Sequence, residues 1–181
     1  MSTKIGGGEA GFDLSALNAS GQVMATPGSA ASPHPCVRDN VTGLVWEVKT
    51  ADGGLRDQNW TYTWYSAHVG TASGTNNCQT AGRCDTEKYT ADLNASALCG
   101  FSDWRRPSVD ELQNLVHYGR SNPSIEPAYF PNTPSAWFWS ASPYAHDPVY
   151  AWDVDFGYGF SNAGAHFRSG YDHVRLVRSG Q

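Results

Sequence analysis

The side chains best equipped for chemistry crowd the last forty positions of the chain. "AWDVDF" sets Asp153 and Asp155 two residues apart, with His146, His166 and His173 on either side. Paired carboxylates can serve glycoside hydrolysis, or bind calcium together with nearby carbonyls. At this spacing on a strand both project from one face, and such a face is commonly just solvated. The histidine spacings match no metal-ligand pattern, so they read as surface histidines. There is no Gly-x-Ser-x-Gly elbow and no phosphate-cradling loop. The expectation is therefore no catalytic residue, no metal and no cofactor.

The four cysteines, Cys36, Cys78, Cys84 and Cys99, include no Cys-x-x-Cys pair, which argues against a zinc ribbon or a redox motif. Cys78 and Cys84 flank the short polar "QTAGR", which a disulfide could close, leaving Cys36 for Cys99. Four cysteines allow three pairings, and sequence excludes neither of the others. A Cys36–Cys99 bridge would contribute about 4 kcal/mol, and disulfides favour life outside the reducing cytosol. The first residues, "MSTKIGGGEAGFDLSALNAS", lack the apolar core of an export signal. The expectation is an extracellular or cell-surface location, or a phage particle, with any signal or anchor outside this chain.

The 181 residues suffice for one packed domain. Only three of the twelve basic residues are Lys and the net charge is −5, so a nucleic-acid partner is not expected. No apolar run approaches the roughly 20 residues of a membrane helix. Residues 1–35, rich in Gly, Ala and Ser, read as a lead-in segment, with the packed domain spanning 36–181. "GLVWEVK" alternates as a strand, with Leu44, Trp46 and Val48 inward and Val45, Glu47 and Lys49 outward. "TEKYTADLNASALCG" spaces Tyr89, Leu93 and Ala97 helically between a Thr86 cap and Gly100. "PSVDELQNLVHYG" is a second helix, with a Ser108/Glu111 capping box and an end at Gly119. In "DWRRP", Asp103 and Arg105 are expected to hold the turn before it. "AWFWSAS", "AWDVDF" and "DHVRLVR" are strands. They place Trp137, Trp139, Trp152 and Phe156 in the core and point His173, Arg175 and Arg178 outward, the arginines toward acidic neighbours. The order is α+β.

"CVRDNVTGLVWEVKT", "LCGFSDWRRPSVDELQNLVHYGR", "IEPAYFPNTPSAWFWSAS" and "HVRLVRSG" together strongly resemble the Lcl C-terminal domain family, named for the end of a collagen-like bacterial adhesin. The resemblance runs from Cys36 to Gly180. It implies a C-type lectin-like fold, two short helices on small twisted antiparallel sheets, and an adhesive, ligand-binding role without enzymatic activity. Arg106 stands where the family usually has Leu, which puts local packing in doubt. No "EPN" or "QPD" triplet followed by "WND" occurs, so no calcium-dependent sugar site of the usual lectin type is expected.

A narrower resemblance links residues 142–173 to targets of diversity-generating retroelements. It implies a fixed frame of Trp139, Trp152, Val154, Phe156, Val174, Arg175, Leu176 and Arg178. The variable positions between would be His146, Asp147, Val149, Asp153, Asp155, Tyr158, Phe160, Ser161, Ala163, Ala165, His166, Phe167, Ser169, Tyr171 and Asp172. From Trp137 to Tyr171 there are eleven aromatics and no Lys. Tyr158, Phe160, Phe167 and Tyr171 sit among Gly, Ser, Asn and Asp without a burying period. They are expected to line a binding face of the antibody-loop kind, large in contact area and small in entropic cost. The ligand would be a protein or glycan on another cell or particle, met by a monomer or a homo-oligomer. The alternatives are a fixed carbohydrate or glycosaminoglycan site, and an enzyme on a formylglycine-generating type of fold.

Overall fold

The computed structural model describes residues 3–74, 77–162 and 166–180. In chain order the elements are β1 (Leu14–Leu17), β2 (Cys36–Asp39), β3 (Val45–Glu47), β4 (Tyr65–Ser66), β5 (Val69–Gly70), α1 (Thr86–Ala95), α2 (Val109–Gln113), β6 (Trp137–Pro143), β7 (Ala151–Asp155), β8 (Ser161–Asn162) and β9 (Val177–Arg178). They form three antiparallel sheets, ordered β1-β2-β3-β9, β4-β5 and β6-β7-β8. This is an α+β architecture with few helices and small sheets.

The first sheet is buried on both faces. Trp46, Val48, Val37 and Leu14 enter one apolar cluster with Leu112, Phe130, Phe138 and Val154. Val45, Leu17 and Leu176 enter a second, with Tyr62, Trp64, Tyr89, Leu93, Trp104 and Trp139. The alternation of "GLVWEVK" therefore sorts its residues correctly, but the face expected to meet solvent does not. Glu47 and Lys49 are buried. Lys49 donates to Glu47 at 2.7 Å and to the Tyr89 hydroxyl at 3.0 Å, and Tyr89 donates in turn to Glu47. The other Glu47 oxygen accepts the Leu176 backbone N–H at 2.9 Å. Arg175, expected outward, is also buried; it reaches the Glu47 carbonyl and the Thr133 hydroxyl and lies over the Phe130 ring. A polar knot this deep persists only because each charge has partners.

The lead-in is partly structural. β1 pairs with β2 from Leu14 opposite Asp39 to Leu17 opposite Cys36, and Leu14 and Leu17 are buried. The packed unit thus starts upstream of Cys36. The Gly-rich start folds back on this strand: a side chain at Gly6 would meet the Leu14 carbonyl at 2.0 Å, so only glycine fits there.

Both helices are shorter than their sequence patterns. Asp85, not Thr86, caps α1, accepting the Lys88 N–H at 2.8 Å, while the Thr86 hydroxyl is held by the Tyr65 backbone. The helix stops at Ala95, since the Asn94 side chain is bonded to both backbone groups of Trp104. The Ser108/Glu111 capping box is present at α2. Beyond Gln113 the chain tightens into successive turns that carry Leu115 and Val116 into the core, well before Gly119. Both disulfides join the pairs favoured by loop size, Cys36–Cys99 and Cys78–Cys84. The "DWRRP" segment is pinned to β9: Arg105 and Val177 exchange backbone hydrogen bonds, and Asp103 binds the Arg178 guanidinium at 2.6 Å. Arg105 instead pairs with Glu111 at 2.6 Å. Arg106, at the family's Leu position, lies over Trp64 and bonds the Tyr65 carbonyl and the hydroxyls of Ser66 and Thr86.

Candidate functional site

The β6-β7-β8 sheet carries the region singled out from sequence. In its register Trp139 lies opposite Asp153, and Asp153 lies opposite Asn162. Phe138, Val154 and Phe156 fill the first core; Trp139 and Ala151 fill the second. Trp137 and Trp152 are only half-buried, where sequence placed them inside. Trp139 is fixed further by its indole N–H, which donates to the Tyr62 carbonyl at 2.7 Å.

Between these strands the four unplaced aromatics reach solvent. Tyr158 is 65%, Phe160 64%, Phe167 54% and Tyr171 44% exposed. They form two groups. Tyr158 and Phe160 sit at the turn following Asp155, whereas Phe167 bridges to Tyr150 and stacks on its ring at 4.7 Å. Asp155 and Tyr150 are five residues apart, so the groups are separated by roughly 16 Å along β7. Ser161 and Ser169 are exposed, as are His146, whose ring lies near Tyr144, and Val149. Asp147 is half-buried and accepts the Val149 N–H. Ala163 and Ala165 lie outside the described residues.

The two carboxylates of "AWDVDF" do not form a solvated face. Asp155 is buried and makes the β7–β8 turn, accepting the N–H groups of Gly157 at 2.6 Å and Tyr158 at 3.2 Å. Gly159 in that turn has φ +84°, and a side chain there would strike Val116 at 2.5 Å. Asp153 is 0% exposed. His166 lies against it, with Nδ1 at 2.6 Å from Asp153 and 2.9 Å from Asp172. Asp172 is buried as well, with its backbone exchanging hydrogen bonds with Tyr62. Burial pushes the Asp153 carboxyl up, to about 6, against the lowering effect of His166. The neighbouring carboxylates of Asp153 and Asp172 push His166 up, to about 10. His173 is half-buried, not at the surface; burial and the Lys49 charge hold it down at about 4.

Two groups escaped the sequence reading. Tyr150 belongs with Phe167 because of a cross-strand pairing that no local pattern reveals. A cleft of about 470 Å³ runs between Phe12, Val41, Gln113, His117 and Tyr118. It exists because the lead-in packs against the turns after α2, and only the isolated Tyr118 hints at it. Its neighbour Gln113 donates to the Gly159 carbonyl, so this cleft approaches the Tyr158–Phe160 turn.

Among the described residues no helix is long and apolar enough to cross a membrane. Neither a curated protein nor a solved structure matches the chain. The family model of the Lcl C-terminal domain matches residues 35–178, from the start of β2 to the end of β9. With that match spanning both disulfides, both helices and the exposed aromatic turns, the chain belongs to the Lcl C-terminal domain family, a domain of surface-associated, adhesin-like proteins.

Proposed function

We propose that this chain is a non-enzymatic binding module on an extracellular or particle surface, with a C-type lectin-like scaffold and a sequence-variable aromatic face. The observation that carries this reading is the exposure of Tyr158, Phe160, Phe167 and Tyr171 between strands whose frame residues Trp139, Val154, Phe156, Val174, Arg175, Leu176 and Arg178 are buried. Large rings presented from fixed strands give contact area at little ordering cost. The two disulfides and the family's surface association support work outside the cytosol. The partner is a protein or glycan displayed by another cell or particle.

Variation by a retroelement needs positions that tolerate substitution. His146, Val149, Tyr158, Phe160, Ser161, Phe167, Ser169 and Tyr171 meet that need by exposure. Asp155 and Asp172 do not, since a turn depends on the first and burial constrains the second. The test is a display library randomised at the eight exposed positions and panned on glycan and cell-surface-protein arrays. Most clones are expected to fold, with different clones selecting different targets. A library that mostly fails to fold, or clones that all keep one target, would favour a fixed site elsewhere. In the genomic DNA, an imperfect repeat differing only at adenines would be the expected companion.

A further inference from the structure

Three side chains converge beneath Phe167 and Tyr171 in an arrangement that hydrogen bonding leaves incomplete. Asp153, His166 and Asp172 each offer one ligand atom, and these atoms all lie within 4.8 Å of one another. Nδ1 of His166 makes a hydrogen bond with Asp172 at 2.9 Å. It also approaches Asp153 at 2.6 Å, but without hydrogen-bond geometry. Among the described residues, neither carboxylate oxygen of Asp153, a fully buried side chain, has a hydrogen-bond partner. A buried carboxylate without partners is costly unless a cation meets it. One ring proton cannot serve two carboxylates equally.

We propose that Asp153, His166 and Asp172 form a binding site for a divalent transition-metal cation. Two carboxylate oxygens and one imidazole nitrogen suit zinc, cobalt, nickel or manganese. Calcium takes six to eight oxygens, and magnesium favours oxygen donors with retained water. The cation takes the place of the Nδ1 proton. Ligand atoms around zinc stand roughly 3.3 Å apart at its usual bond lengths, so His166 withdraws by about half an ångström on loading. That movement is available: Asp153 is held in β7 and Asp172 by its bridge to Tyr62, while His166 comes from a loop. The edge contacts of its ring with Trp137 at 4.9 Å and Trp139 at 6.2 Å keep the imidazole aimed inward. A cleft of about 360 Å³ lined by His166, Phe167, Ser169, Tyr171 and Asp172 opens beside it. The metal's remaining positions face that cleft, where an oxygen donor of a bound partner can complete the coordination.

A second group, Glu9, His117 and Glu126, also brings three ligand atoms together. It is the weaker candidate. Glu9 is committed to Arg120 at 2.8 Å, and Glu126 accepts the Glu9 N–H.

The test is cobalt(II) titration of the whole chelator-treated chain, read by the visible d–d absorption of the bound ion. One equivalent is expected, with Asp153→Asn and His166→Gln each weakening uptake by more than the roughly 10- to 100-fold that loss of an outer partner costs. Should Asp153→Asn fail to fold by circular dichroism, His166→Gln alone decides, since its side chain lies on a loop. No uptake, leaving an ion-paired imidazolium only, would overturn the proposal. So would uptake undiminished in His166→Gln, or lost in His117→Gln instead.

Discussion

At the scale of single residues, the centre of the molecule is decided by charges that have no exit. Glu47 joins Lys49, Tyr89 and the Leu176 backbone, and Arg175 spans from the Glu47 carbonyl to Thr133 between aromatic rings. Burial holds Lys49 down at about 8 against the pull of Glu47. Removing Glu47 strands a buried ammonium. Glu47→Ala is therefore expected to cost about 3–5 kcal/mol, checked by urea denaturation at pH 7. The exposed rings follow the opposite logic: Phe160 and Phe167 lie where no strand repeat buries them. That much was legible in the sequence, because a ring among Gly, Ser and Asn has no neighbours at core spacing. The burial of Asp153, Asp155 and Arg175 was not legible. Alternation tells which residues share a face, but not that a second layer covers the outer one. For Asp153 that layer is the loop carrying His166 and Asp172, more than ten residues away.

At the scale of elements, short strands gain their stability from what lies across them. β1 has four residues and an unremarkable sequence, and the Gly-rich stretch before it reads as linker. Its burial comes from register alone, with Leu14 and Leu17 falling on opposite faces of a sheet buried on both sides. Leu17→Ala is expected to destabilise by about 2–5 kcal/mol in thermal or urea unfolding; a flexible arm would show no change. The helices illustrate the reverse limit. The capping box of α2 was readable because all its parts are local. Its length was not, because the His117 N–H is claimed by the Ser124 carbonyl across a loop. Likewise α1 stops where Asn94 is captured by Trp104.

At the scale of the whole molecule, two cores share one central sheet, and the exposed aromatic turns hang from a second sheet that contributes to both. His34 ties the lead-in to this body, with Nδ1 accepting the Gly28 N–H and Nε2 donating to the Tyr129 carbonyl. Burial, aided by the Arg56 charge, holds His34 below its ordinary value. The unfolded chain thus binds this proton first as pH falls. The stability from a neutral His34 is complete above about pH 6.5 and is lost as pH drops toward the folded value. The melting temperature is expected to fall below pH 6.5, and less steeply in His34→Gln. An equal slope in both would place the acid sensitivity elsewhere. The whole-molecule claim is that this doubly buried frame exists to present a solvent-facing set of rings to a partner. Its most direct measurement compares binding to target cells by the native chain and by a variant carrying alanine at Tyr158, Phe160, Phe167 and Tyr171, alongside their melting temperatures. The account predicts that binding is lost while the melting temperature stays within a few degrees. Retained binding with a collapsed melting temperature would contradict it.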